Sequence, residues 1–174
     1  MTDKHIEQLR EGHRQRRSAI NELHFTYKGL QRLLTTMVRR PGNDAIAGIL
    51  RTQMAQDRTV MNDLAHVAMD HGQPPVPSTC AVADALLAEV YHADRQGAMG
   101  YSRMDGLLQG LKAVRMHLLR TWERLIEQAP ADMLPRFREV ARRLQVMEAE
   151  QHRVLLEYEA RLLRPGSTQD RLTA

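Results

Sequence analysis

Apolar side chains recur along most of this chain at alternating intervals of three and four residues, the period of an amphipathic α-helix. Polar breaks rich in Pro and Gly divide the pattern into segments. These predict helix A over 4–39, helix B from about 43 to 71, helix C from about 102 to 129 and helix D from about 134 to 164. A shorter helix is predicted over 79–96. The predicted fold class is therefore all-α.

The lengths of the breaks predict how the helices are connected. Residues 40–43 separate A from B, and a turn containing Pro130 and Asp132 separates C from D. Short connections of this kind make consecutive helices antiparallel. Between B and C, three prolines exclude a helix from residues 72–79. A long B–C connection can return the chain along the bundle and make B and C parallel, which predicts a four-helix bundle with one crossover.

Two glycines lie one turn apart in helix C, at Gly106 and Gly110. Glycine weakens a helix interior, and its missing side chain lets another backbone approach closely. We therefore expect a neighbouring helix to pack tightly against this part of helix C.

Asp63-Leu64 lies late in helix B, and the run Asp70-His71-Gly72-Gln73-Pro74-Pro75 precedes the long connection. With the helix order, these features give residues 15 to 163 a resemblance to the ferritin-like superfamily, particularly its small bacterial four-helix domains. The resemblance implies a ferritin-like bundle whose B–C crossover contains the short helix. It also implies a di-metal centre of inward Glu residues on two helices and Glu-x-x-His pairs on the other two, binding iron or manganese.

The helical phase of the candidate ligands argues against such a centre. At about 100° per residue, Asp63 and His66 point away from the apolar face of helix B. Helix D contains no Glu-x-x-His, and helix C places Arg115 inward, where its positive charge opposes the binding of a metal cation. The sequence therefore predicts no metal ligands and no cofactor, and a di-iron or manganese site is kept as the alternative.

One set of polar residues does face inward: Asp57 on helix B, Arg115 on helix C, and Glu148 and Gln151 on helix D. Each lies near the middle of its helix, so the four side chains should meet at one height in the bundle. An arginine between two carboxylates can satisfy both through its forked donors. We interpret this core polar cluster as a vestigial metal site in which a guanidinium replaces the cation. The alternative is that the four residues flank the core separately and extend into water.

The length of 174 residues suits one domain, predicted over 1–164 with a frayed tail at 165–174. The charged start and the lack of any apolar run of about 20 residues predict a cytoplasmic protein without a membrane partner. Common nucleotide-binding and hydrolase motifs are absent, so no catalytic residues are predicted and the sequence favours a non-enzyme. Cys80 is predicted to be a structural or surface thiol, because the local sequence supplies no histidine to activate it.

The net charge of +4 and the pI of about 9.6 raise the possibility of an acidic partner. Arginines cluster within residues 10–17, at 39–40 and within 136–143, but glutamates interrupt two of these clusters and no aromatic residues are interleaved to stack on bases. This pattern favours a solvated or salt-bridged surface over nucleic-acid binding.

Together these features predict a non-catalytic helical-bundle protein that acts as a binding or scaffold module. The alternatives are a metal-binding ferritin-like protein for iron oxidation or storage and, third, a nucleic-acid-binding protein. Helix A extends about three turns beyond what its partners can cover, which exposes Ile6 and Leu9. We therefore expect a homo-oligomer, a dimer formed through this overhang.

Overall fold

The computed structural model of the protein describes residues 3–40, 43–70, 72, 74–95, 101–128 and 135–163. This part of the chain contains five α-helices and no strand, which confirms the all-α fold class. The helices are α1 (Asp3–Met37), α2 (Asp44–Asp70), α3 (Ala81–Arg95), α4 (Tyr101–Glu127) and α5 (Pro135–Leu162). Each helix begins and ends within two residues of its predicted limits. The predicted C–D turn at Pro130 and Asp132 and the tail at 165–174 lie outside the described residues.

The apolar stripes of the four long helices form one continuous core. Its largest fully buried apolar side chains are Trp122, Tyr27, Phe137, Ile20, Leu23, Leu30, Leu34, Met37, Ile46, Leu50 and Leu64. Burying such side chains provides most of the free energy that holds the helices together, because helices in proteins are stabilised mainly by packing of their apolar faces rather than by intrinsic helix propensity. None of the described helices is long and apolar enough to cross a membrane.

Contacts between helices show the directions in which they run. Near the start of α2 and of α4, Arg103 donates a hydrogen bond to the Asn43 side chain at 2.8 Å. Near the middle of both helices, Arg115 donates to Asp57 at 2.7 Å. Since residue numbers rise together, α2 and α4 run in the same direction. In three other helix pairs the numbers run in opposite senses, so these helices are antiparallel. The contacts are Arg16 with Gln128 and Glu22 with Thr121 for α1 and α4, Gln53 with Gln151 and Asp63 with Arg143 for α2 and α5, and Arg115 with Glu148 and Lys112 with Glu159 for α4 and α5.

The short helix α3 packs closely on α4 at the two glycines. A Cβ atom added to Gly110 would lie 2.8 Å from Cγ2 of Val90 and 3.4 Å from its Cα. One added to Gly106 would lie 3.5 Å from Cβ of Ala93. The close approach expected from the sequence is confirmed, and Gly110 is the position that requires it.

A buried carboxylate ties the ends of four helices together. Asp94 of α3 is 2% exposed and forms ion pairs with Arg40, which follows α1, at 2.8 Å and with Arg103 of α4 at 3.1 Å. The Asn43 side chain, immediately before α2, donates to the same carboxylate at 3.0 Å and to the carbonyl of Met37 at 2.9 Å. These bonds hold the start of α4 beside the start of α2.

Candidate functional site: a buried arginine–carboxylate cluster

The structure brings together the four inward polar residues in the middle of the bundle. Asp57, Arg115 and Glu148 are 0% exposed and Gln151 is 1% exposed, so none of them reaches water. Each is spaced three or four residues from buried apolar neighbours on its own helix, and this spacing turns the polar side chain into the core.

Arg115 and Asp57 form a two-pronged ion pair between α4 and α2. Nη1 of Arg115 donates to Oδ1 of Asp57 at 2.7 Å, and Nη2 donates to Oδ2 at 3.1 Å. Two parallel bonds of this kind are stronger and more directional than a single contact, because the planar guanidinium matches the carboxylate. The pair fixes the relative height of α2 and α4.

Glu148 completes the ion cluster from α5. Its Oε1 and Oε2 atoms accept hydrogen bonds from Nη1 of Arg115 at 3.3 and 3.2 Å. The hydroxyl of Tyr27 donates to Oε2 at 2.8 Å, and Nε1 of Trp122 donates to the Tyr27 hydroxyl oxygen at 3.0 Å. A chain of hydrogen bonds thus runs from α4 through α1 to α5.

Two glutamines bond with the other side of the cluster. Oε1 of Gln53 accepts from Nη2 of Arg115 at 3.2 Å, and Nε2 of Gln53 donates to the carbonyl of Gln151 at 3.0 Å. The Gln151 amide donates to Oδ1 of Asp57 at 3.2 Å. All four long helices therefore contribute to one buried network.

The cluster contains two carboxyl groups and one guanidinium, so a proton on one carboxyl would make it neutral. Burial raises the pKa of Glu148, Arg115 lowers it less strongly and Asp57 raises it again, so the pKa lies at about 7. Burial alone would lower the pKa of Arg115, but the charges of Asp57 and Glu148 together raise it, so the guanidinium stays protonated. Burial also raises the pKa of Tyr27 well above its ordinary value, which keeps its hydroxyl a donor.

These residues do not fit a ferritin-type di-metal centre. The fully buried guanidinium of Arg115 hydrogen-bonds both inward carboxylates, and a metal cation bound there would have to displace a cation that is already in place. Asp63 and His66 of α2 point elsewhere: Asp63 pairs with Arg143 at 2.8 Å, and His66 is exposed. Neither contacts the cluster.

Sequence reasoning missed three members of this network. Tyr27 and Trp122 lie among the apolar positions of helices A and C, and a buried hydroxyl or indole N–H usually needs a hydrogen-bond partner, which is the signal that could have identified them. Gln53 lies one turn before Asp57 on the same face of α2, and this spacing is the signal that could have identified it.

A groove of about 530 Å³ between α2 and α5 borders the cluster. Gln53 and Gln151 both line it, and the buried Oε1 atom of Gln151 has no protein hydrogen-bond partner among the described residues. The groove is thus a concave surface of ligand-site size with polar atoms at its buried side.

Several arginines of the basic clusters form ion pairs on the surface. Arg14 pairs with Glu11 at 3.1 Å, and Arg143 pairs with Asp63 at 2.8 Å. Paired guanidiniums of this kind offer less positive charge to a phosphate backbone.

No family model, curated protein or solved structure matches this chain. The ferritin-like resemblance therefore rests on the helix order and on the residues at the end of helix B and in the connection that follows it.

Proposed function

We propose that the protein is a non-catalytic, ferritin-like four-helix bundle that acts as a binding or scaffold module. In this proposal α3 lies within the crossover between parallel helices α2 and α4, and the cluster is a vestigial metal site in which Arg115 replaces the cation. The shared direction of α2 and α4 supports the bundle type. The domain comprises residues 1–164 in a cytoplasmic homodimer.

The observation that carries the proposal is the position of the Arg115 guanidinium. It is 0% exposed and hydrogen-bonds carboxylates from two other helices at mid-bundle height. Inward carboxylates at this place are what a di-metal bundle protein uses to hold iron or manganese. Here the fixed positive charge satisfies them, and the site keeps a structural role without the chemistry of a metal.

The α2–α5 groove supports the binding part of the proposal. Its volume of about 530 Å³ lies within the range of small-ligand sites, and the Oε1 atom of Gln151 beside it, which accepts no hydrogen bond from the described residues, can accept one from a ligand. A ligand in this groove would contact the edge of the central cluster through Gln53 and Gln151. Nucleic acid is a poorer candidate, because Arg14 and Arg143, from two of the arginine clusters, are each paired with a carboxylate.

An iron-oxidation assay tests the proposal against the metal-binding alternative. Metal-free protein should not accelerate the oxidation of Fe²⁺ by oxygen above the rate in buffer, and Asp57→Asn and Glu148→Gln proteins should match it. Retention of about two metal ions per chain by the parent protein, with oxidation that both substitutions abolish, would reverse the order of the two functions.

A further inference from the structure

A second group of polar side chains lies outside the core, where the segment before α3 meets α1 and α4. The group consists of Glu22 of α1, Cys80 just before α3, and His117 of α4. Each residue presents an atom that can bind a metal, and the three atoms lie within 4.8 Å of one another. The group is shielded from solvent: the side chains of His117 and Glu22 are 13% and 15% exposed. None of these residues belongs to the central cluster.

The backbone holds Cys80 beside α1. The amide of Val76 donates to Oδ1 of Asn21 at 3.0 Å, and the hydroxyl of Ser78 donates to the Asn21 carbonyl at 3.5 Å. The Cys80 carbonyl accepts from the amide of Asp84 at 2.8 Å in the first turn of α3. The thiol is therefore placed by anchors on both sides of it.

His117 provides a second, independent observation. Its Nε2 atom is buried and makes no hydrogen bond to any described residue, and its contact with Oε1 of Glu22 at 3.3 Å is an ion pair only when the imidazole is protonated. A buried polar atom that makes no hydrogen bond is unusual and calls for an explanation such as a bound ion. Thr121 donates to the same carboxylate at 2.9 Å, so Glu22 is oriented toward His117 by a neighbouring side chain.

We propose that Glu22, Cys80 and His117 form a binding site for Zn²⁺. Zinc takes thiolate, imidazole and carboxylate ligands at about 2.0 to 2.3 Å, which places tetrahedral ligand atoms roughly 3.3 to 3.8 Å apart. The His117–Glu22 distance of 3.3 Å already matches this spacing. One thiolate and one carboxylate balance the charge of the ion. The fourth position faces a groove of about 520 Å³ and is open to water or a small anion.

Arg124 is the competing partner of Glu22. Its Nη2 atom donates to Oε1 of Glu22 at 2.6 Å, but its side chain is 51% exposed. An exposed ion pair of this kind contributes little to stability, so zinc can replace Arg124 while the guanidinium moves into water.

Zinc titration against a chromophoric chelator tests the site in the full-length protein. The parent protein should bind one Zn²⁺ per chain. Cys80→Ser, His117→Gln and Glu22→Gln should each weaken binding by more than about tenfold, since even the loss of an outer-shell partner has effects of that size. Glu123→Gln is the matched control, because Glu123 lines the same groove without belonging to the ligand set and should leave affinity unchanged.

Cobalt binding distinguishes a metal site formed by three residues from metal bound to the Cys80 thiol alone. Co²⁺ bound to the parent protein should show a thiolate-to-cobalt charge-transfer band and the visible bands of tetrahedral cobalt. His117→Gln should alter the visible bands. Circular dichroism of this variant should show that its helices persist. Weakened zinc binding in Cys80→Ser alone would identify an adventitious thiol contact and overturn the proposal. So would the absence of stoichiometric zinc binding. Neither result depends on iron oxidation, so the central cluster's function is tested separately.

Discussion

Arg115 joins three helices through one fully buried guanidinium. Its replacement by methionine would leave Asp57 and Glu148 facing each other without a compensating cation. Breaking a buried ion pair by removing one partner typically costs about 3 to 5 kcal/mol. We expect Arg115→Met to lower the free energy of unfolding by this amount at neutral pH, measured by urea denaturation.

The triple variant Asp57→Leu, Arg115→Met, Glu148→Met is the control. Its free energy of unfolding should fall much less, because no lone charge remains in the core. Equal stability of Arg115→Met and the parent would contradict the structural role of the cluster.

Glu148 should make stability depend on pH. Burial raises its folded-state pKa from 4.5 to about 7, so between these values the folded protein binds more protons than the unfolded chain. The Glu148 contribution to stability is therefore full below about pH 4.5 and falls as pH rises toward 7. The charged and titratable groups of the cluster that act on the pKa of Glu148 are Asp57, Arg115 and Tyr27.

The variant Glu148→Gln isolates this effect, because a glutamine cannot ionise and its amide oxygen can still accept from Tyr27 and Arg115. The stability of Glu148→Gln relative to the parent should rise between pH 4.5 and 7 and level off above that interval. Chemical denaturation at several pH values measures the difference. A difference that stays constant with pH would show that Glu148 titrates at the same pH in the folded and unfolded chains.

Packing of α3 on α4 depends on the missing side chain of Gly110. A methyl group there would meet Val90 at 2.8 Å, and overpacking of this kind costs about 1 to 3 kcal/mol. Gly48 is the matched control, because it also lies inside a helix but a Cβ there would have no neighbour within 4 Å in the described part of the chain. Gly48→Ala should stabilise the protein by about 1 kcal/mol through helix propensity, whereas Gly110→Ala should destabilise it. Thermal unfolding of the two variants would contradict this account if both shifted in the same direction.

The first turns of α1 extend beyond the end of α4. Arg16 donates to the carbonyl of Gln128, just after α4, so the part of α1 before Arg16 continues past that helix. Ile6 is 37% exposed in this segment, while the side chain of Leu9 lies outside the described residues. An apolar stripe left uncovered in one chain is a surface on which a second copy can pack.

Light scattering coupled to size-exclusion chromatography tests the proposed dimer. The parent should have twice the chain mass of 19.9 kDa, and Ile6→Glu should shift it toward the monomer, because a charge would be buried in the interface. Gln15→Glu adds a similar charge on the opposite side of α1 and should leave the mass unchanged. A parent protein that stays monomeric at all concentrations would refute the proposed dimer.

The local sequence pattern alone is sufficient to predict the helices and to identify the polar residues that face inward. The 3.6-residue period is a property of neighbouring positions, and so are the prolines and glycines that end each stripe, which explains why the helix limits lie within two residues of those predicted. The same period places Asp57, Arg115, Glu148 and Gln151 on apolar faces, whatever helices lie opposite them.

The partners of those residues were decided by tertiary structure. Tyr27 donates to Glu148 across 121 positions of sequence, and no local pattern specifies that pairing. Cys80 shows the difference most clearly: no histidine or glutamate lies near it in sequence, yet the fold places Glu22 and His117 within 4.8 Å of its sulfur. A sequence therefore determines which face each side chain occupies, because that follows from backbone geometry. Which side chains meet depends on the packing of separate helices, because contact requires positions distant in the chain to be brought together.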